Sequence, residues 1–216
     1  MALVLVIGAS RGIGLETVKA ALAAGHRVRA LARGAAAIAV EHAQLEKVAA
    51  DALNRSAVTR ALAGVDAVIE TLGAPHDFGT LLSGTRVFSA ATRLLIDAMR
   101  ETGIRRLVAV TGLGAGDSRG HGGLLYDAIA FPLVLKRIYD DKDVQEQMIR
   151  ASGLEWTIVR PGLLRSGPAT GRARALTDPR DWTAGSVTRA DVAGFLVREA
   201  FERRFLAQTP LLLGPN

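Results

Sequence analysis

Near the amino terminus, Gly8-Ala9-Ser10-Arg11-Gly12-Ile13-Gly14 stands directly behind the apolar run Leu3 to Ile7 and in front of a stretch with helical periodicity. This order reads as strand, glycine turn and helix start. Glycine lets backbone come close to backbone, or to a ligand, with no side chain in the way. The first N–H groups of the helix have no partner inside it and point over the turn, where the positive end of the helix dipole favours negative charge. A diphosphate held over Gly8, Ser10, Arg11, Gly12, Ile13 and Gly14 meets that description. A tight strand-to-helix turn without a ligand is the alternative reading of the same residues.

Behind the turn, apolar runs bounded by turn residues alternate with helical periodicity. Strands are expected at Leu3 to Ile7, Arg27 to Ala32, about Glu46 to Ala50, Ala67 to Thr71, Leu107 to Thr111, Trp156 to Val159 and near Leu211 to Leu213. Helices are expected at about Gly12 to Ala24, Ser56 to Leu62, Gly84 to Glu101, Leu135 to Ala151 and Ala190 to Arg203. Repeated βα units of this kind predict an α/β fold, a single doubly wound domain over residues 1–216 with a mainly parallel sheet flanked by helices. In such sheets ligands lie beyond the carboxyl ends of the strands. Two segments are expected on that side. The run from Gly112 to Gly123, continuing to residue 134, is rich in glycine and is read as a lid or cofactor-contacting loop, with a plain surface connection as the alternative. Residues 163–188 are read as a loop-rich segment closing over the substrate.

Composition removes several function classes. With no Cys in 216 residues, disulfides, thiolate chemistry and cysteine metal sites are excluded together. No His/Asp/Glu cluster has ligand spacing, so no metal is expected. No apolar run is long enough to span a bilayer, and Ala2 to Ile7 is too short for a secretory segment, so a cytoplasmic protein is expected. The net charge of +6 comes from arginines scattered along the chain and from only four lysines, without aromatic-basic alternation. That pattern argues against nucleic acid and is compatible with recruiting an anionic cofactor. His76 and His121 fall on loops at the expected ligand edge, either as proton relays or facing solvent.

Further segments recur in order along the chain: Asp51-Ala52 after the third strand, Thr71-Leu72-Gly73-Ala74 after the fourth, and Thr111-Gly112-Leu-Gly-Ala-Gly116 after the fifth. They continue in Asp141-Lys-Asp-Val-Gln-Glu146, Ser152-Gly-Leu-Glu-Trp-Thr-Ile-Val-Arg-Pro-Gly162 and Arg189-Ala-Asp-Val-Ala193. With the glycine turn, these make the chain resemble the atypical short-chain dehydrogenase/reductases, in the small NAD(P)H-binding branch that includes flavin reductase (biliverdin-IXβ reductase) and NmrA-like proteins. The resemblance implies a Rossmann-type fold. It implies that Asp51 accepts from the adenine amino group beside the Ala52 backbone, a turn carboxylate being the plain alternative. It also implies that Leu72, Gly73 and Ala74 pass close to the adenine ribose and diphosphate, that Thr111 and Gly112 flank the nicotinamide ribose, and that Pro161 and Gly162 border the nicotinamide ring.

The second strand ends in Leu31-Ala32-Arg33, with no acid nearby until Glu41. Dinucleotide folds that take NADH place an acid there for the ribose hydroxyls, whereas a 2′-phosphate needs a cation. Arg33, with Arg11 closing from the other side, therefore predicts NADP as cofactor, NADPH preferred over NADH. An arginine that simply solvates a strand end is the alternative.

The wider superfamily reduces carbonyls with a Tyr-x-x-x-Lys pair and a serine after the fifth strand. Here Lys142 matches the lysine, but Ile138 stands four residues before it, Tyr139 misses by one place, and Gly112 matches the serine. A one-residue shift turns a helical side chain by about 100°. Tyr139 is therefore read as packing or surface rather than as proton donor. Hydride transfer to a flavin or quinone depends chiefly on stacking the acceptor against the nicotinamide. The resemblance thus implies an NADPH-dependent oxidoreductase acting on a small planar conjugated molecule, with Lys142 and Thr111 at the catalytic position and a monomeric or small homo-oligomeric state. Lys142 as a helix-surface residue paired with Glu146 is the alternative. A non-catalytic redox sensor of NmrA type is the second functional reading, and epimerase chemistry the third.

Overall fold

β1 (Leu3–Ile7) is buried along its whole length, and its side chains alternate between two cores. Val4 and Val6 join one apolar cluster; Leu3, Leu5 and Ile7 join the other. A strand sandwiched in this way must be apolar on both faces, which is why its sequence is a continuous run. Burying each Val, Leu or Ile stabilises by about 1.5–3 kcal/mol, enough to pin the strand register. The computed structural model describes residues 1–73, 86–118 and 136–215.

In chain order, β1 is followed by α1 (Gly12–Ala23), β2 (Arg27–Ala32), β3 (Leu45–Ala49), α2 (Arg55–Ala61), β4 (Ala67–Glu70), α3 (Val87–Thr102) and β5 (Arg106–Val110). Then come α4 (Lys136–Arg150), β6 (Glu155–Pro161), β7 (Leu163–Arg165), β8 (Arg174–Leu176), β9 (Ser186–Thr188), α5 (Arg189–Glu202) and β10 (Leu211–Leu213). The main sheet has the order β3-β2-β1-β4-β5-β6-β10-β8. Its pairings are parallel except for β10 with β8. α1 and α5 cover one face through Val18, Ala21, Leu22, Val192, Phe195 and Leu196. α2, α3 and α4 cover the other through Val58, Ala61, Leu95, Met99 and Ile149. This is the doubly wound, Rossmann-type fold. Strand order reverses between β1 and β4, so the crevice beyond their carboxyl ends is the topological switch point where such sheets bind ligands. No helix among the described residues is long and apolar enough to cross a membrane.

One expectation is refined. The segment 163–188 is not simply loop: β8 pairs antiparallel with β10, and β7 pairs with β9 in a separate two-stranded sheet. These strands are three residues long, too short to leave a periodic signal. The segment is tied to α5 by Asp191, whose carboxylate accepts from the Thr170 and Gly171 N–H groups, each at 2.9 Å. The Thr188 hydroxyl caps the same helix by accepting from the Asp191 N–H. Of the loop expected after β5 as a lid or cofactor contact, residues 112–118 are described, and Leu113, Ala115 and Ser118 are buried there. The remainder of that expected lid, with His121, lies outside the described residues, as do His76 and Ala74.

Candidate functional site

The glycine turn divides into glycines that pack and one that leaves room. A methyl group added to Gly14 would lie 2.2 Å from the Gly8 carbonyl oxygen and 2.7 Å from Thr71 Oγ1. One added to Gly8 would meet the Thr71 carbonyl oxygen at 2.8 Å. These two positions let α1 press against β1 and the end of β4. Gly12 differs: its φ is +56°, and a methyl there would find nothing within 4 Å. Arg11 precedes the helix in extended geometry and offers no capping side chain, and the first turn carries no acid. By contrast, Asn54 caps α2, and the Asp141 carboxylate accepts from Phe88 N–H at the start of α3. The α1 N-terminus thus combines free N–H groups, the positive end of a dipole and open space over Gly12, with Ile13 partly buried behind it. These residues fit the diphosphate of a dinucleotide.

Ser10 lies against the residue that follows Arg33: a methyl on Gly34 would stand 3.5 Å from Ser10 Cβ. The ends of β1 and β2 meet there, with Arg11 and Arg33 both exposed. Asp51 is exposed as well, and its Oδ1 accepts from Leu53 N–H at 2.9 Å, the turn-carboxylate arrangement weighed as an alternative. Ala52 and Leu72 are partly buried and pack against the core, and Gly73 is exposed just beyond the end of β4.

Lys142 is buried, only 8% exposed, which removes the alternative of a surface lysine paired with Glu146. Its Nζ donates to the Val110 carbonyl at 3.3 Å and lies 4.0 Å from the centre of the Phe88 ring. Burial lowers its pKa to about 8 against the raising influence of Glu70, Glu146 and Asp141. Glu70, the last residue of β4, is buried too. Its carboxylate accepts from Thr92 Oγ1 at 2.8 and 3.0 Å and from Gln145 Nε2 at 3.3 Å. Desolvation raises its pKa to about 7, partly countered by those donors and by Lys142. A carboxylate at the end of an otherwise apolar strand is the one signal the sequence offered for this cluster.

Thr111 Oγ1 donates to Glu146 Oε1 at 2.8 Å, and Glu146 in turn receives Arg160 Nε at 3.0 Å and Nη2 at 2.6 Å. Arg160 Nη1 lies 2.6 Å from Asp117 Oδ1, an ion-pair distance without hydrogen-bond alignment. Residues 112–118 rest on this pair: a methyl on Gly116 would meet Arg160 Nη2 at 2.6 Å and Glu146 Oε2 at 2.8 Å. Asp143 accepts from Gly116 N–H at 2.7 Å, fixing the same loop to α4. Tyr139, partly buried, reaches across from α4. Its hydroxyl stands 2.8 Å from where a methyl on Gly112 would be, so glycine at 112 makes room for the phenol. Pro161 pairs with Leu212 in the sheet. Gly162 is held by packing, since a methyl there would meet the Gly185 carbonyl oxygen at 2.5 Å and Leu213 Cδ2 at 2.7 Å. The structure therefore gathers the glycine turn, Leu72, Gly73, Thr111, Gly112 and Lys142 along the carboxyl edge of β1, β4 and β5.

Residues 8–203 match a family described as NAD(P)H-binding. The chain belongs to this family. The resemblance to the small NAD(P)H-binding branch of the atypical short-chain dehydrogenase/reductases accordingly holds. A relative in Bacillus subtilis, described as the uncharacterized sugar epimerase YhfK, is 30% identical over 187 residues, covering 82% of this chain and 78% of that one. Among solved structures, the anaerobillin reductase ChuY of Escherichia coli O157:H7 is 29% identical, covers 99% of this chain and 98% of its own, and superposes with a TM-score of 0.79. A short-chain dehydrogenase/reductase of Veillonella parvula, solved in complex with NADP, shares the fold at a TM-score of 0.79 and 15% identity, covering 100% of this chain and 95% of its own.

Proposed function

We propose that this protein is an NADPH-dependent reductase that delivers hydride to a small planar conjugated acceptor: a flavin, a quinone or a linear tetrapyrrole. The observation that carries the reading is the α1 N-terminus, uncapped, free of acidic residues and open over Gly12 at the switch point of the sheet. The likeness to the anaerobillin reductase ChuY along almost the whole chain supports an acceptor of the tetrapyrrole kind.

In this reading the N–H groups of α1 hold the diphosphate, and the exposed guanidiniums of Arg11 and Arg33 flank the 2′-phosphate. The Lys142 ammonium donates to the nicotinamide ribose from below. Thr111 Oγ1 has given its hydrogen to Glu146, so toward a ligand it only accepts, which suits a ribose hydroxyl or a carboxamide N–H. When bound, the dinucleotide supplies hydride, and a proton completes the two-electron reduction. The Tyr139 hydroxyl beside Gly112 and the loop packed on Arg160 border the space left for the acceptor.

The test is Lys142→Met, with NADPH affinity and acceptor-dependent oxidation measured on the same preparation. The reading predicts weaker NADPH binding and at least a tenfold loss of kcat/KM, the equivalent of about 1.4 kcal/mol. Unchanged affinity and turnover would remove Lys142 from the site.

A further inference from the structure

Lys142 is only 8% exposed, set in a wedge between β4, α3 and α4 at the carboxyl edge of the sheet. The polar groups that surround it among the described residues come from four elements. Glu70 ends β4 and is bonded at 3.3 Å by Gln145, one turn along from Lys142 on the same helix, while the Phe88 ring approaches the ammonium from α3 and the Val110 carbonyl from β5. Asp141 and Glu146 belong to its own helix. Asp141 is engaged by the Phe88 N–H at 3.0 Å. Glu146 is neutralised by Arg160 of β6 and by Arg150, and bonded by Thr111. Glu70, like Asp141, is bonded only by neutral groups, the side chains of Thr92 and Gln145, themselves joined at 3.0 Å, but it enters the wedge from the sheet rather than from the helix that carries Lys142. These donors aim the carboxylate and compensate part of its desolvation without cancelling its charge.

We propose that Glu70 is a positioning residue for Lys142, the buried counter-charge that keeps its ammonium protonated beneath the cofactor. Thr92 and Gln145 hold the carboxylate in the wedge from α3 and α4. A buried amine without a neighbouring anion gives up its proton, so a lysine this deep needs such a partner to act as a cation. Burial lowers the Lys142 pKa to about 8, and Glu70 is the foremost of the three carboxylates, ahead of Glu146 and Asp141, that oppose it. The role assigned to the ammonium rests on the proposed function; the coupling of the two residues does not.

The chain has four lysines, Lys19, Lys47, Lys136 and Lys142, so lysine Cε resonances in carbon-13-labelled protein resolve the titration directly. The resonance missing from Lys142→Met identifies Lys142. In the wild-type protein it titrates near the pKa of about 8. In Glu70→Gln, which keeps the shape of the side chain, its midpoint falls by about one pH unit or more, tenfold in the protonation equilibrium. Thr92→Val removes the strongest donor to Glu70 and moves the midpoint in the same direction, which serves if Glu70→Gln does not fold. An unmoved Lys142 midpoint in a folded variant overturns the proposal. NADPH affinity measured across the same pH range separates the two levels. Affinity that falls with the Lys142 midpoint in both wild type and variant supports the coupling and its use. A midpoint that moves while affinity ignores it leaves the Glu70 coupling standing and overturns the placement of the ammonium on the cofactor.

Discussion

Arg160 and Glu146 form a two-pronged ion pair with side chains 0% and 2% exposed, the guanidinium on β6 and the carboxylate on α4. Because Thr111 donates to the same carboxylate and Gly116 lies against both partners, one buried pair fixes the chain after β5 where it borders the ligand crevice. Burial alone would lower the Arg160 pKa, but Glu146 and Asp117 outweigh it and hold the guanidinium charged, its pKa above the usual arginine value.

Arg160→Met leaves Glu146 buried with its main partner gone. Breaking such a pair from one side costs about 3–5 kcal/mol, whereas replacing both partners with apolar residues is often neutral. Urea denaturation is expected to show that loss for Arg160→Met and recovery of most of it in Arg160→Met/Glu146→Leu. Equal destabilisation by the single and double variants would mean that the pair is not the element holding this region.

The glycine turn separates folding from binding. Gly14→Ala places a methyl 2.2 Å from the Gly8 carbonyl and should lower stability by about 1–3 kcal/mol through overpacking. Gly12→Ala meets no atom, and its positive φ costs about 1 kcal/mol, but the methyl enters the space assigned to the diphosphate. NADPH affinity is expected to fall at least tenfold in Gly12→Ala with only a small change in Tm. Wild-type affinity in that variant would place the diphosphate elsewhere.

Much of this fold was legible because β1, β4 and β5 are covered on both faces and so appear as apolar runs, unbroken in β1 and interrupted only at one end in β4 and β5, between glycine and helix signals. The glycine turn, Arg33 and Lys142 could be placed for the same reason: each follows directly from a strand end or a helix with a clear period. What stayed hidden depends on contacts far apart in sequence. Glu70 meets Thr92 and Gln145 across 22 and 75 residues, and no local pattern reports such a cluster. β7, β8 and β9 owe their existence to pairing with each other and with β10 rather than to their own three residues. The buried loop after β5 was hidden by composition, since glycines that permit close packing on Arg160 look the same as glycines that permit movement.

In the proposed reading, the exposed Arg33 at the end of β2 is the residue that sets the preference for NADPH over NADH. Reversing its charge in Arg33→Asp removes a charge-assisted contact to the 2′-phosphate worth about 1.5–3 kcal/mol. The ratio of NADPH to NADH affinity should therefore fall by about tenfold to a hundredfold. Titrating both nucleotides into wild type and variant checks this, and an unchanged ratio would show that Arg33 only solvates the end of β2.

Glu70 and Lys142 also predict a pH dependence of stability. Between 4.5 and about 7 the folded Glu70 keeps a proton that the unfolded chain has released, so its contribution is lost as pH rises through that range. Between about 8 and 10.5 it is the unfolded Lys142 that holds the extra proton, so its contribution is regained as pH rises there. The pair therefore stabilises least between those two ranges. Glu70→Gln/Lys142→Met is expected to equal or exceed wild-type stability near neutral pH, by up to about 4 kcal/mol, with the advantage shrinking on either side. Denaturant midpoints across the pH range measure this, and a wild-type advantage near neutrality would contradict it.

NADPH oxidation by the purified protein against flavins, quinones and linear tetrapyrroles, with NADPH affinity determined on the same sample, tests the proposed reductase activity itself. Acceptor-dependent turnover above the uncatalysed rate is expected, greatest with a planar conjugated acceptor and lost together with NADPH affinity in Gly12→Ala. Tight NADPH binding with no turnover of any of these acceptors would contradict it and favour a protein that reports the bound dinucleotide to a partner.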